Sequence, residues 1–273
     1  QAPETVSSTQ RGFMKRRTVM KKFTTFGIAT TIAIGLLCTS AQSQELSVET
    51  IMNAHIKALG GMEALDKIKT IKRSGSASIS IPTPMEGPYE AVLFVGEKFS
   101  QKWEVPGAMS TVTTLIGTAG WMDHSMLGLA ELEGDLLKAI MSQLYVSEIA
   151  SVWREKGNDS IRLLPDETLE STTYHVVQIV GEEEIKFYLD RESMLLAHWI
   201  ANQGNVETAL SFYDYASHGG VQMPGAATSK FMYDFAGRVI LEMRFEKVTI
   251  NGDVDDTVFE PPEGIEDNAE HDK

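Results

Sequence analysis

The sequence is poor in cysteine and in positive charge. Among its 273 residues there is one cysteine, Cys38, which excludes a fold held together by disulfide bonds. It has 24 Lys and Arg residues against 38 Asp and Glu residues, a formal net charge of −14. A field of this sign repels phosphate groups, so the composition excludes a nucleic-acid binder that works by neutralising them.

Long apolar runs are absent as well. The apolar stretch from Phe26 to Cys38 is shorter than the about 20 residues that span a bilayer. It follows basic residues at Lys15 to Lys22 and precedes small residues, an order that predicts a secretory signal peptide cleaved after Ala41 or Ser43. Lipidation of Cys38 is a weaker alternative, because the bulky Leu37 stands where lipoprotein signals have a small residue.

The predicted signal divides the chain into three parts. We assign residues 1–43 to an upstream remnant and the signal peptide, residues 44–262 to one exported domain, and residues 263–273 to an acidic flexible tail. Residues 1–41 contain six of the basic and one of the acidic residues, so the remainder has 18 basic and 37 acidic residues, a net charge of −19. Anionic lipid headgroups would repel such a protein, and any contact with lipid must be apolar.

Helical patterns occur at two places. Ser47 is a suitable N-cap for a helix that ends at Gly60-Gly61, which we interpret as a C-cap and turn rather than a phosphate-binding loop. Leucines and other apolar residues from Leu129 to Leu144, followed by a shorter segment from Ile149 to Trp153, have the spacing of amphipathic helices.

Elsewhere from Ile71 onward the apolar residues alternate. This period predicts about 10–11 strands joined by short turns, with a turn region at Pro82–Pro88. Short connections favour antiparallel pairing. A break in the alternation at Glu246-Lys247 predicts a β-bulge in the last strand. The fold class is therefore α+β, with one large antiparallel sheet and two or three helices.

The numbers of strands and helices favour an internal cavity. Eleven strands about 4.8 Å apart give a sheet about 50 Å wide, whereas three helices of about 10 Å cover about 30 Å of it. The sheet must then curl, and either its large side chains fill the interior or space remains for a ligand. Strand parity places these side chains on the inner face: Trp103, Trp121, Phe187, Leu189, Trp199, Phe231, Phe235 and Phe245.

Several segments resemble the LolA-like outer-membrane lipoprotein-sorting proteins, the half-barrel superfamily that includes LolB and RseB. They are the opening helix from Leu46 to Ile71, the GTAGWM turn from Gly117 to Met122, FYLDRESMLLAHW from Phe187 to Trp199, YDYASHGGVQMP from Tyr213 to Pro224, and VTINGDVDDTVFEPP from Val248 to Pro262. The resemblance implies a half-open barrel in the periplasm whose helix-covered concave face binds acyl chains of lipid or lipoprotein. The residues of the closing segment also have a physical interpretation: Asp255 and Asp256 can cap a turn, Phe259 covers the sheet edge, and Pro261 and Pro262 end the pairing.

Signals of catalysis are weak. The six histidines include no pair at metal-binding spacing, and the exported part has no thiol. Asp123-His124-Ser125 lacks the turn that presents a nucleophile, and Asp253, Asp255 and Asp256 depart from a calcium loop. We therefore expect no enzyme, no cofactor and no metal. The leading hypothesis is an acyl-chain carrier; a sensor or assembly module that binds an envelope or outer-membrane protein is the alternative, and a hydrolase is third.

Overall fold

The computed structural model describes residues 46–81, 83–141, 145–182, 185–203, 206–233 and 237–262. These residues belong to one compact unit, Glu45–Lys273. The predicted signal segment and the predicted acidic tail lie outside the described residues. No helix within the described ranges has the length and apolar character needed to cross a membrane.

Four α-helices fall within these ranges. They are α1 (Val48–Leu59), α2 (Met62–Leu65), α3 (Gly134–Met141) and α4 (Tyr145–Lys156). The predicted start of α1 is confirmed, because the Ser47 hydroxyl accepts a hydrogen bond from the Thr50 N–H at 3.1 Å. Its predicted end is confirmed too. Gly60 and Gly61 have φ angles of 120° and 90°, which favour glycine, and they turn the chain from α1 into α2.

Fifteen strands are described in the same ranges, and each is antiparallel to its neighbours. They are β1 (Thr70–Ile81), β2 (Thr83–Phe94), β3 (Lys98–Val105), β4 (Met109–Ile116), β5 (Ala119–His124), β6 (Gly128–Glu131), β7 (Ile161–Leu169), β8 (Thr172–Ile179), β9 (Ile185–Asp190), β10 (Leu196–Gln203), β11 (Val206–Tyr213), β12 (Ala216–His218), β13 (Val221–Met223), β14 (Ala226–Tyr233) and β15 (Gly237–Ile250). Two short 3₁₀ turns, Asn158–Ser160 and Asp256–Phe259, complete the described elements.

Thirteen of the strands form one sheet in the order β6-β5-β4-β3-β2-β1-β15-β14-β11-β10-β9-β8-β7, and β12 pairs with β13 in a separate hairpin. The predicted antiparallel sheet with few helices is confirmed. The predicted count of 10–11 strands is too low, because β6, β12 and β13 are too short to show a separate alternating pattern. Within the described residues β6 and β7 are not paired with each other, so the sheet is open.

The predicted helix from Leu129 to Leu144 is partly wrong. Its first residues form β6, which pairs with β5, and α3 begins only at Gly134. Gly128 has a φ of 85° and closes the β5–β6 turn, and the Leu132 N–H continues the pairing by donating to the Gly120 carbonyl at 2.8 Å. These backbone hydrogen bonds decide the conformation of a segment whose leucine spacing suits either structure.

The predicted turn at Pro82–Pro88 is also wrong, because β2 already begins at Thr83. Pro84 and Pro88 lie within β2, opposite β1. The described pairing of β2 with β3 begins only at Tyr89. The two prolines therefore occupy the part of β2 for which pairing is described on one side only, the kind of strand position in which proline is found.

Helix α3 shows that the sheet is strongly curved. It lies against β10 and β11, and its residue Ile140 packs in the same cluster as Leu115 of β4. In the sheet order β4 and β11 are six strand spacings apart, about 29 Å in a flat sheet. A helix of eight residues is about 12 Å long. It contacts both regions only because the sheet curls round it.

The predicted bulge in the last strand is confirmed. Ser74 of β1 pairs with Lys247 of β15, whereas the next residue, Gly75, pairs with Phe245. Glu246 is the extra residue. Because of it, Phe245 and Val248 are both on the inner face, although they are three positions apart in the sequence.

The closing segment packs against the sheet. The predicted cap at Asp255 is confirmed, whereas Asp256 forms an ion pair with Lys98 at 2.8 Å. Asp255 accepts a hydrogen bond from the Thr257 N–H at 3.0 Å and caps the 3₁₀ turn Asp256–Phe259. Phe259 is 3% exposed, and its ring meets that of Phe94 edge to face at 5.6 Å. Lys98 lies 4.5 Å from both ring centres. This contact also explains why Phe94 is apolar although it faces away from the interior.

Candidate functional site

The inner face is the face of the sheet that the helices cover. Ile51 and Met52 of α1 and Ile149 of α4 pack there against Phe187 of β9 and Trp199 of β10, all buried. The helices therefore contribute their apolar stripes to the same core as the inward residues of the strands. This arrangement is dense at the β7–β11 end of the sheet.

Five of the eight residues predicted to line a cavity lie in dense clusters. Phe187, Leu189 and Trp199 belong to the cluster under α1 and α4, and each is 0% exposed. Trp103 and Phe245 belong to a second cluster on β1, β2, β3, β14 and β15. The indole N–H of Trp103 donates to the Ala77 carbonyl at 3.0 Å, which fixes that ring in place.

The other three residues are placed differently. Trp121 pairs with Thr114, whereas its neighbour Gly120 pairs with the inward Leu115, so the register puts Trp121 on the opposite face. Phe231 lies on β14, paired with Thr208, but its side chain is outside the described residues, as is all of Phe235. A ligand-binding role for the eight residues stays a prediction.

A cavity of about 90 Å³ lies between the helices and the inner face. Its walls come from α1, α2 and α4, from strands β1, β10 and β11, and from the β12–β13 hairpin with its flanking residues. None of the six predicted residues whose side chains the structure describes is among its lining. The lining is mostly apolar: His55, Leu59, Leu65, Ile68, Ile71, Arg73, Val95, Ile149, Ala150, Leu196, Phe212, Tyr215, Val221, Gln222, Met223 and Pro224.

Within the described lining, Arg73 is the one residue that carries a permanent charge. It lies on β1 with the inward parity of the buried Ile71 and Ala77. Its guanidinium carbon is 5.3 Å from the ring centre of Phe245, and its buried Nε has no hydrogen-bond acceptor. Burial lowers the pKa of Arg73, because the charged form is poorly solvated there. An arginine nevertheless stays protonated at neutral pH.

His55 on α1 contributes a neutral polar group. Its Nδ1 donates a hydrogen bond to the Met194 carbonyl at 2.8 Å, since a carbonyl can only accept. Desolvation by burial lowers the pKa of His55, and this hydrogen bond opposes the shift only in part. The imidazole is therefore neutral at pH 7. It ties α1 to the turn between β9 and β10.

Two tyrosines near Arg73 have hydroxyl groups that donate elsewhere. The Tyr215 hydroxyl donates to the Leu196 carbonyl at 2.8 Å, and the Tyr89 hydroxyl donates to the Gln101 side chain at 3.2 Å. Burial raises the pKa of Tyr89 to about 12, although the nearby Arg73 charge favours the phenolate. Both phenols are thus neutral and supply no counter-charge to the guanidinium.

Unpartnered polar atoms concentrate on the inner face. Within the described residues, four buried side-chain atoms have no hydrogen-bond partner, and all four belong to inward residues. They are Arg73 Nε, Trp199 Nε1, Thr208 Oγ1 and Ser229 Oγ. Buried polar groups without partners are uncommon in folded proteins and point to strain, to water or to a missing ligand.

The described residues show no arrangement typical of an enzyme. They hold no group of three or more metal-ligating side chains. His124 and Ser125 accept backbone hydrogen bonds from Met126 and Ser110, so their side chains serve a turn.

One imidazole–hydroxyl pair does exist, on the outer face. His198 contacts the Ser211 hydroxyl at 2.9 Å and the Tyr174 hydroxyl at 3.1 Å. A nucleophile–base pair needs an acid behind the base to stabilise its protonated form, and a tyrosine is neutral. Burial lowers the pKa of His198, which also disfavours protonation. We assign this cluster to cross-strand stabilisation of the sheet.

The residues that distinguish the cavity were missed at the sequence level. The spacing of the six histidines predicted no site at His55, and no prediction concerned Arg73. A signal for Arg73 existed, because it occupies an inward position between the apolar residues Ile71 and Ala77 of one alternating strand. A single charged residue at the apolar positions of an alternating strand is uncommon and therefore indicates a candidate site.

Comparison with known proteins finds likeness only among solved structures. No family model matches the chain. No curated protein matches it. The LolA superfamily protein NE2245 from Nitrosomonas europaea is similar with a TM-score of 0.49 at 9% identity, over 79% of this chain and 98% of that one.

Two further structures show the range of the likeness. A domain described as an outer-membrane lipoprotein-sorting protein from Vibrio parahaemolyticus has a TM-score of 0.45 at 9% identity, over 77% of this chain and 94% of that one. MucB in its Pseudomonas aeruginosa complex with MucA has a TM-score of 0.21 at 9% identity, over 73% and 93%. They include the LolA-like group that the sequence motifs resemble. At this identity the likeness concerns the fold alone.

Proposed function

We propose that this protein is an exported, non-enzymatic binding protein that holds an acyl chain of a lipid or lipid-modified protein in the cavity between its helices and its sheet. The observation that carries the proposal is the cavity itself, whose walls are mostly aliphatic and aromatic side chains. Empty apolar space is costly in a protein interior, because the lining atoms lose their packing partners. The periplasm is the location we propose for this activity, from the predicted signal peptide.

The size of the cavity sets a limit on the ligand. A water-sized group takes about 10–15 Å³ of such space, so 90 Å³ holds roughly six to nine of them. Burial of one methylene contributes about 0.8 kcal/mol, so a filled cavity contributes about 5–7 kcal/mol before the cost of association. The chain alone therefore supports a dissociation constant of about 10 µM at best. Longer chains require the helices to move away from the sheet.

Native mass spectrometry tests the proposal. Protein purified from a membrane-containing lysate should carry acyl-chain adducts that are lost on unfolding. Ala150→Leu adds apolar volume at a buried position of the cavity wall and should reduce the adduct. Val180→Leu, at a position that is 46% exposed, is the matched control and should leave the adduct unchanged. An adduct-free wild-type protein, or equal adducts in both variants, would contradict acyl binding in this cavity.

A second candidate function is a module that binds another envelope protein. The observation that favours it is the exposed apolar turn before β6, where Met126 is 67% and Leu127 is 77% exposed. Within the described residues β6 is an outer strand of the sheet, and such an edge can pair with a strand of another protein. Leu127→Asp should abolish capture of such a partner, whereas Leu46→Asp, also at an exposed leucine, should not. Equal capture by both variants would count against this surface.

A further inference from the structure

We propose that Arg73 is the anion-binding residue of the cavity, and that its ligand is a single-chain amphiphile with a carboxylate head group. This inference rests on the proposed function for the apolar chain and adds the polar end of the ligand. It identifies a charged contact where the overall composition gave no reason to expect an anionic ligand.

The position of Arg73 makes it part of the binding site. It is on the inner face of β1, paired with Ala91 of β2 and Val248 of β15, three strands in the middle of the sheet. The cavity that it lines has otherwise apolar or neutral polar walls, and none of its lining residues is Asp or Glu. Among the described residues that line the cavity, the guanidinium is the only charged group that attracts an anion.

Among the described residues, the Arg73 side chain has no ion-pair partner and its Nε has no hydrogen-bond acceptor. The ring of Phe245 gives it a cation–π contact, which compensates only in part for lost hydration. A partly buried charge without a counter-charge loses hydration free energy, which a bound anion would offset. A bound carboxylate supplies both the missing charge and the missing acceptor atoms.

The surroundings favour a carboxylate over a larger anion. The planar guanidinium donates two parallel hydrogen bonds to a carboxylate, which matches its geometry. His55 is neutral, so the cavity provides one positive charge and not two. The limited volume leaves room for a small head group and part of one chain. A fatty acid of medium length meets these conditions.

The test compares two probes of equal chain length, octanoate and 1-octanol, at a pH where octanoate is ionised. Titration calorimetry with the full folded protein should give wild-type affinity for octanoate about 10- to 100-fold higher than for octanol, the range expected for hydrogen bonds to a charged group. Arg73→Met should remove this preference and leave the octanol affinity within about threefold of wild type. Arg73→Lys, which keeps a charge but not the fork, should restore part of the preference.

Lys72→Met is the matched control, because Lys72 is the adjacent residue of β1 with outward parity, and its ammonium donates to the Asp253 carbonyl. It removes the same charge and should keep the octanoate preference. Thermal unfolding supplies a second measurement: Arg73→Met should match or exceed the wild-type midpoint without ligand, and octanoate should no longer raise it. Equal binding of both probes to the wild type, or an unchanged preference in Arg73→Met, would overturn the inference alone. Failure of both probes to bind would overturn the proposed acyl-chain function together with it.

Discussion

Alanine substitutions at the two neighbouring glycines between α1 and α2 should destabilise the protein to different extents. Both residues have positive φ angles, 120° at Gly60 and 90° at Gly61. A Cβ built on Gly60 would overlap the Gly220 carbonyl oxygen and lie 3.3 Å from the Val221 Cα. A Cβ built on Gly61 would have no atom within 4 Å. Alanine at Gly61 therefore adds backbone strain alone, whereas alanine at Gly60 adds strain and a collision with the β12–β13 hairpin.

The two costs can be separated. Backbone strain of this kind costs about 1–3 kcal/mol, which is the expected loss of unfolding free energy in Gly61→Ala. The collision at Gly60 involves main-chain atoms, which cannot rotate away, and overpacking of this type adds about 1–3 kcal/mol. Gly60→Ala should therefore lose about 2–6 kcal/mol. The difference between the variants measures how firmly α1 is seated against the hairpin.

Urea unfolding followed by circular dichroism measures this difference. The midpoint should fall in both variants and further in Gly60→Ala, with similar slopes. Because Val221 lines the cavity, Gly60→Ala should also weaken octanoate binding, whereas Gly61→Ala should not. Equal stability losses in the two variants would refute the seating of Gly60 against Gly220.

Two further predictions concern a buried histidine and the closing segment. The folded-state pKa of His55 is lowered by burial, so its contribution to stability is complete above the unfolded pKa of about 6.5 and is lost as the pH falls below that value. The unfolding free energy should therefore decline between pH 7 and pH 5, by at most about 1.4 kcal/mol per pH unit from this one proton. In His55→Gln this part of the decline should be missing. The same pH profile in the variant and the wild type would show that His55 does not titrate in this range. Phe259→Ala should lower the unfolding free energy by about 3–4 kcal/mol, because it removes a buried ring that contacts Phe94 and Lys98. The control Val258→Ala, at a position that is 40% exposed, should lower it by less than about 0.5 kcal/mol. Similar losses from the two substitutions would contradict the packing of the closing segment.

The alternation of apolar residues was a good guide wherever the neighbouring strands were long. It predicted the long strands of the sheet, with β9 at its observed bounds of Ile185 and Asp190. It also predicted the bulge at Glu246, because an extra residue shifts every later side chain to the other face. It failed at β6, because the leucine spacing there suits a helix as well as a strand. It also failed at the prolines of β2, because a proline does not show on which side its strand is paired.

The candidate site was less accessible than the fold. Size and hydrophobicity suggested tryptophan and phenylalanine as cavity walls, yet Phe187 and Trp199 fill the interior instead. The cavity lies where α1, α2 and the β12–β13 hairpin meet β1, β10 and β11. These elements are far apart in the chain, so no local pattern reports the gap between them.

Residue types and their local spacing are enough to indicate which faces of the long strands are apolar, where α1 starts and stops, and that the chain is acidic and has too few cysteines for an internal disulfide. These properties depend on residue type and on spacing within a few positions. The three-dimensional packing settles the rest: large rings fill the space between the helices and strands β9 and β10, while a small cavity remains beside them, between α1, α2 and β1. The packing also places Arg73 at that cavity without an ion-pair partner among the described residues. The reason is that the curvature of the sheet determines which residues come close to its side chain.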